Sequence, residues 1–172
     1  MANETISKLI EDLGGSWRQR RDARDLLQAM GPAAVPELAA AAQAANDQVR
    51  WEALKILSER LDPALAPLFI DALVREQNEG NRWVASHALM NLGPAALRPL
   101  LESLVQRADS ASLREGAHAI LYTLAKQQAL PTGSVDTLIK PVLVALERLD
   151  PAVHVPFAAH RALDAMAGRP LV

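Results

Sequence analysis

Four arginines in quick succession, Arg18, Arg20, Arg21 and Arg24, follow Trp17. Guanidinium forks beside an indole can grip phosphates and stack a nucleobase. Asp22 and Asp25 dilute that cluster. Phosphate binding needs several converging cations, and the side of the partner helices left open as a groove supplies only Arg98, Lys140 and Arg148, offset by Glu102. The histidines, His87, His118, His154 and His160, have no spacing that would put two ligands of a metal on one helix face. Asp22, Asp25, Glu52 and Glu59 fall on polar helix faces and read as solvated carboxylates rather than acid–base pairs. The chain has no cysteine, which removes disulfides, thiolate nucleophiles and cysteine-rich zinc sites together. It also lacks a glycine-rich phosphate loop and a nucleophile elbow. No catalytic, cofactor-binding or metal-binding residue is therefore assigned, and a noncatalytic protein is expected.

The elements that would carry any site are helices. Apolar residues recur at steps of three and four, as in Val49, Ala53, Ile56, Leu57 and Leu61, and no stretch alternates as a half-buried strand does. Breaks fall at Gly14-Gly15, Gly31-Pro32, Asp62-Pro63, Gly93-Pro94 and Asp150-Pro151, where a helix terminator meets a proline suited to a first helical turn. A leading helix is expected near 4–13. Outer helices are expected near 16–30, 47–61, 81–92, 111–126 and 151–167, and partner helices near 33–45, 64–77, 95–107 and 134–149.

The pattern repeats. Small anchors at Ala23, Ala53, Ala85, Ala117 and Ala159 stand 30, 32, 32 and 42 residues apart. Each of the first four is followed by a proline motif: Val35-Pro36-Glu37-Leu38, Ala66-Pro67-Leu68-Phe69, Arg98-Pro99-Leu100-Leu101 and Lys140-Pro141-Val142-Leu143. Such periodicity marks one helical pair stacked repeatedly. The fourth repeat is stretched, and Gln127 to Ser134, with Pro131 and Gly133, reads as a longer loop. The expected architecture is all-α, an α-solenoid forming a single domain over 1–172. It has an N-terminal cap at 1–15, repeats at 16–45, 46–79, 80–108 and 109–149, and a partial repeat at 150–172. In the cap, Ile6, Leu9, Ile10 and Leu13 turn inward and Glu4, Lys8, Glu11 and Asp12 outward.

Half the residues are apolar and the net charge is −2, with both signs interspersed, so no global field draws the chain to nucleic acid or anionic lipid. Charges interrupt Met1 to Leu13, and no apolar run reaches membrane-spanning length. A soluble, cytoplasmic protein is expected.

Val49-Arg50-Trp51-Glu52-Ala53, then Leu61-Asp62-Pro63 and Ala66-Pro67-Leu68, resembles a HEAT repeat; Asn81 to Leu104 and Arg18 to Leu38 fit the same pattern. The chain is similar to bacterial HEAT-repeat proteins, including the group named for its likeness to phycobilisome lyases. The resemblance implies about five antiparallel helix pairs in a right-handed superhelix, serving as a scaffold for protein–protein interaction. It also brings an alternative: a lyase-like enzyme accessory, or a nucleic-acid binder like the HEAT-like DNA glycosylases. The family's arginine after the first apolar residue has matches in Arg50, Arg82 and Arg114, with His154 in the fifth unit. Its acidic turn partner is present as Asp47 and Asp109, while Asn81 stands at the second of these places.

Two surfaces are left for a protein or peptide partner. On a wheel of about 100° per residue, Val35, Ala39, Ile70, Val74, Arg98, Glu102, Lys140, Val144 and Arg148 lie opposite the core of the partner helices. The resemblance implies that this side lines a concave groove. The core side holds Ala34, Leu38 and Ala41 with their equivalents Leu65, Phe69 and Ala72; Leu97, Leu101 and Leu104; and Ile139, Leu143 and Leu146. On the outer helices Trp51, Trp83 and Phe157 precede the small anchors by two residues, and Met90 and Tyr122 continue that line. They form either an exposed aromatic ridge or filling between neighbouring helices. Self-association through the C-terminal end, near Leu171-Val172, is a further expectation.

Overall fold

The computed structural model describes residues 2–127 and 130–168, and these form helices and turns without a strand. The helices are α1 (Ala2–Asp12), α2 (Trp17–Ala29), α3 (Val35–Ala41), α4 (Asp47–Ser58), α5 (Ala66–Arg75), α6 (Glu79–Leu92), α7 (Leu97–Arg107), α8 (Ala111–Lys126), α9 (Lys140–Leu146) and α10 (Pro151–Met166). Short 3-10 turns at Gly31–Ala34, Pro63–Leu65 and Gly93–Ala96 lead into α3, α5 and α7. A π-helical turn at Val135–Ile139 leads into α9. Two compact units result, Met1–Leu61 with Glu76–Ala85, and Asp62–Arg75 with Ser86–Val172.

The corners follow from backbone chemistry. Gly31 and Gly93 take positive φ, 62° and 61°, where a glycine has no Cβ to clash, and proline comes next with its φ already set for a helical turn. At the corresponding corner the left-handed residue is Leu61, φ 50°, and Asp62 caps the 3-10 turn by accepting a bond from the Ala64 amide at 2.9 Å.

All five small anchors are buried: Ala23, Ala53, Ala85, Ala117 and Ala159. In the first unit Leu13, Leu27, Leu38, Leu54, Ile56 and Leu57 are buried with theirs. Ile6, Leu9 and Leu13 of the leading segment are buried and Ile10 is half-buried, while Lys8 reaches Asp12 at 3.3 Å. That hydrogen bond, with the field of Asp12 and Glu11, holds the Lys8 ammonium above its ordinary value. In the second unit α8 lies so close to α5 that a Cβ on Gly116 would meet the Leu73 methyls at 3.0 and 3.1 Å.

The expected core of α3, α5 and α7 is buried as read, but α9 is rotated. It buries Ile139, Val142 and Ala145 and leaves Leu143 and Leu146 half-covered. The π turn is the reason: it takes more residues per turn than an α-helix, so every following side chain swings round the axis. The closing helix α10 packs on α9 and, more extensively, on α7.

Replacing Leu61 by glycine removes a left-handed strain of about 1–2 kcal/mol and adds unfolded-chain entropy worth about 0.5–1 kcal/mol. Urea unfolding of Leu61→Gly is expected to show a gain of about 0.5–1 kcal/mol at unchanged m, and Gly93→Ala a loss of about 1 kcal/mol.

Candidate interaction surfaces

The arginine expected in each repeat has a definite job. Arg20, Arg50, Arg82 and Arg114 are each the fourth residue of their helix, and each turns back to the carbonyls that end the preceding segment. Arg20 Nη1 donates to Gly15 O at 2.6 Å, Arg50 Nη1 to Ala44 O and Ala45 O at 2.8 and 2.9 Å, and Arg82 Nη1 to Glu76 O and Gln77 O at 3.0 and 3.1 Å. Arg114 Nη1 donates to Ala108 O. These oxygens lack helical partners, and a cation suits the negative end of a helix dipole. Four residues before each arginine sits a capping side chain, Ser16, Asn46, Asn78 or Ser110, accepting from the first-turn amides. Asp47 does pair with Arg50. The other acidic partner within the first turn of the same helix is Glu79, 3.9 Å from Arg82, rather than Asp109 beside Arg114. In the fifth unit neither device recurs among the described residues: Asp150 makes no side-chain cap, and His154 stands where the arginine would.

Two buried carboxylates brace the first unit. Glu52, expected to be solvated, is 1% exposed; it receives Arg24 Nε at 2.9 Å and Gln48 Nε2 at 3.2 Å, with Arg20 Nε 3.6 Å away. Its place on α4 faces α2, so the neighbouring arginines replace water. Glu76 takes Arg50 Nε at 2.6 Å and Nη2 at 3.3 Å, and Asn81 Nδ2 at 3.0 Å. The bond to Glu76 is the first cause holding the Arg50 guanidinium above its ordinary value, against the cost of its burial. For a cation this sign means that the stabilisation is complete at neutral pH and fades only as pH climbs through the arginine range.

Of the basic cluster, then, Arg20 and Arg24 are committed to Glu52. Arg18 and Arg21 stay exposed beside Trp17, at 5.9 and 5.5 Å from its ring centroid. Other histidine and aromatic positions also find local partners: His118 meets Glu147 at 3.2 Å and His160 meets Asp164 at 3.0 Å.

The groove residues do not share one environment. Ile70 is 1% exposed and cannot line an accessible surface; Ala66, at the turn before it, is buried too. Val35, Ala39 and Val74 are half-buried, whereas Arg98, Glu102, Lys140, Val144 and Arg148 are exposed. For the charged residues of α7 the cause is register. Helices α3, α5 and α7 begin at Val35, Ala66 and Leu97, so Pro36, Pro67 and Arg98 correspond, as do Ala40, Asp71 and Glu102. The motif proline is the second residue of α3 and α5 but the third of α7, and an alignment on it slips by one residue, about 100° of rotation. In the second unit the outward side of α5 and α7 thus carries Asp71, bound by Arg107 Nη1 at 2.6 Å, and the pair Arg98 and Glu102 at 3.8 Å.

On the aromatic line Trp83 and Phe157 are exposed, 61% and 73%, so neither fills a gap between helices. Trp51 differs: it is half-buried, with Lys55 Nζ 4.8 Å from its ring centroid, and a Cβ on Gly80 would lie 3.9 Å from its Cδ1. Tyr122 is exposed, stacked on His118 with ring centroids 6.5 Å apart and under Lys126 at 4.3 Å. Met90 is half-buried, its sulfur 3.7 Å from Thr123 Oγ1. Leu171 and Val172, invoked for self-association, lie outside the described residues.

One cleft in the second unit draws from both expected surfaces. It lies between α9 with its π turn and α10, holds about 570 Å³, and is lined by Val144 and Arg148 on one wall and Phe157 and Arg161 on the other. His154 also faces it. Arg161 was not singled out by the sequence; it joins the cleft from α10.

A family model for HEAT repeats matches residues 35–121, slightly more than half of the chain. The chain belongs to the HEAT-repeat family. No curated protein and no solved structure matches it. The HEAT match spans α3 to the middle of α8 and with them the corners at Asn46, Asn78 and Ser110. Among the described residues of this HEAT-repeat chain, no helix is long and apolar enough to cross a membrane.

Arg50 serves two carboxylates and two carbonyls at once, so Arg50→Ala strands a buried Glu76 and is expected to cost about 3 kcal/mol in chemical denaturation. Arg50→Lys should recover less than half of that, because one ammonium cannot reproduce the fork.

Proposed function

We propose that this HEAT-repeat chain is a noncatalytic protein-binding module whose partner docks on the cleft between α9 and α10. One observation carries the reading. Val144 and Phe157, 55% and 73% exposed, stand beside Arg148 and Arg161, whose side chains have no ion pair or hydrogen bond among the described residues. Large apolar groups held in water next to uncompensated arginines are the composition of a contact surface, where aromatic and arginine side chains contribute most of the binding energy. The helices that hold these groups are fixed by packing, α10 on α7 and α9 on α8 and α10, so little order remains to be imposed on binding. Nucleic-acid binding has weaker support, since half of the Trp17 cluster is engaged with Glu52.

A photo-crosslinking side chain in place of Thr137, an exposed residue lining the cleft, introduced in cells, should trap a discrete protein. The pair Val144→Asp and Phe157→Asp should abolish capture of that protein with unchanged circular dichroism, since both positions are exposed. Retention of the same protein by the double variant would remove this cleft from the function.

A further inference from the structure

The chemistry of the cleft narrows what can fill it. The one acidic side chain among the lining residues, Asp136, is already paired with Lys140. Arg148 and Arg161 are left as net positive charge on opposite walls, above an apolar floor that includes Pro141 and Ala158. An occupant must therefore bring carboxylates at its flanks and apolar groups at its centre.

Backbone chemistry decides its conformation. Both walls are helices whose amides and carbonyls are spent within α9 and α10, so an extended segment would find no sheet edge to pair with. Pro156 inside α10 frees a single carbonyl, that of Ala152, too little for a ladder. A helix satisfies its own backbone and needs only a groove, and two adjacent helices with exposed side chains at their seam provide one.

We infer that the α9–α10 cleft receives one acidic amphipathic helix of a partner protein, its apolar stripe on Val144 and Phe157 and its carboxylates on Arg148 and Arg161. The inference rests on the protein-binding reading above and specifies the partner's contact segment.

The test uses the whole protein and designed peptides of about 18 residues, long enough for helix in water. One carries leucines at i, i+3, i+4 and i+7 flanked by glutamates, and its twin has lysine for every glutamate. A third has the glutamate sequence broken by two central prolines. Fluorescence anisotropy should show the glutamate helix binding at least about ten-fold more tightly than either twin, and weakening as salt rises from about 50 to about 500 mM. The variant Arg148→Glu with Arg161→Glu, both exposed positions, should reverse the preference between the glutamate and lysine peptides.

Equal binding of the charge twins, equal binding of the proline peptide, no binding of the glutamate peptide, or no reversal in the double variant would each overturn the inference. Those failures leave the cleft as a docking site if crosslinking at Thr137 still depends on Val144 and Phe157. Loss of that dependence would overturn the docking reading itself.

Discussion

A polar cap and, four residues later, an arginine that reaches backward are what fix the corners that open α2, α4, α6 and α8. The cap answers the amides that open a helix, and the arginine answers the carbonyls that close the segment before it, as at Asn46 and Arg50. Both sets of groups are orphaned wherever a helix ends. Because one short stretch satisfies both, the chain can reverse without burying unpaired backbone, and apolar faces are free to meet. The order Ser16 and Arg20, Asn46 and Arg50, Asn78 and Arg82, Ser110 and Arg114 is thus the constraint from which the repeats follow.

The buried carboxylates serve a different end. Taking Glu52 and Glu76 out of water is costly, and pairing with Arg24 and Arg50 returns much of that cost rather than adding net stability. What they add is register. A slide of one helix past its neighbour by a turn leaves a charge buried alone, a penalty that close-packed alanines such as Ala23 and Ala53 could not impose. Small residues allow close approach, and the ion pairs specify where along the helices it happens.

Much of this was legible in the sequence. Helix existence, the corners and the buried anchors follow from periodicity and from glycine and proline, which act locally. The surface was less legible, for reasons tied to single residues. Pro99 stands one place later in its helix than Pro36 and Pro67, so the wheel reading matched Ile70 to the exposed Glu102, whereas the helix starts match it to the buried Leu101. Glu52 looked solvated because its partners, Arg20 and Arg24, lie on another helix, and polarity alone does not reveal which face a neighbour covers. The capping residues were passed over for the acidic residues beside them, although Ser and Asn are the stronger helix starters.

The cleft arises where these rules lapse. At the corner before α10 the cap is unused and His154 replaces the arginine. Before α9, a π turn replaces the 3-10 turn of the other partner helices. The extra rotation takes Leu143 and Leu146 partly out of the core and leaves Val144 exposed. At the equivalent place in the helix, counted from its start, α7 has Leu101 and α5 has Ile70, and both are buried. A position that is core in two helices and surface in a third is not explained by hydrophobicity alone; the turned backbone exposes it. Departure from an otherwise consistent local code is expected where a surface is shaped for contact, since a core position turned to water lowers stability unless another molecule covers it.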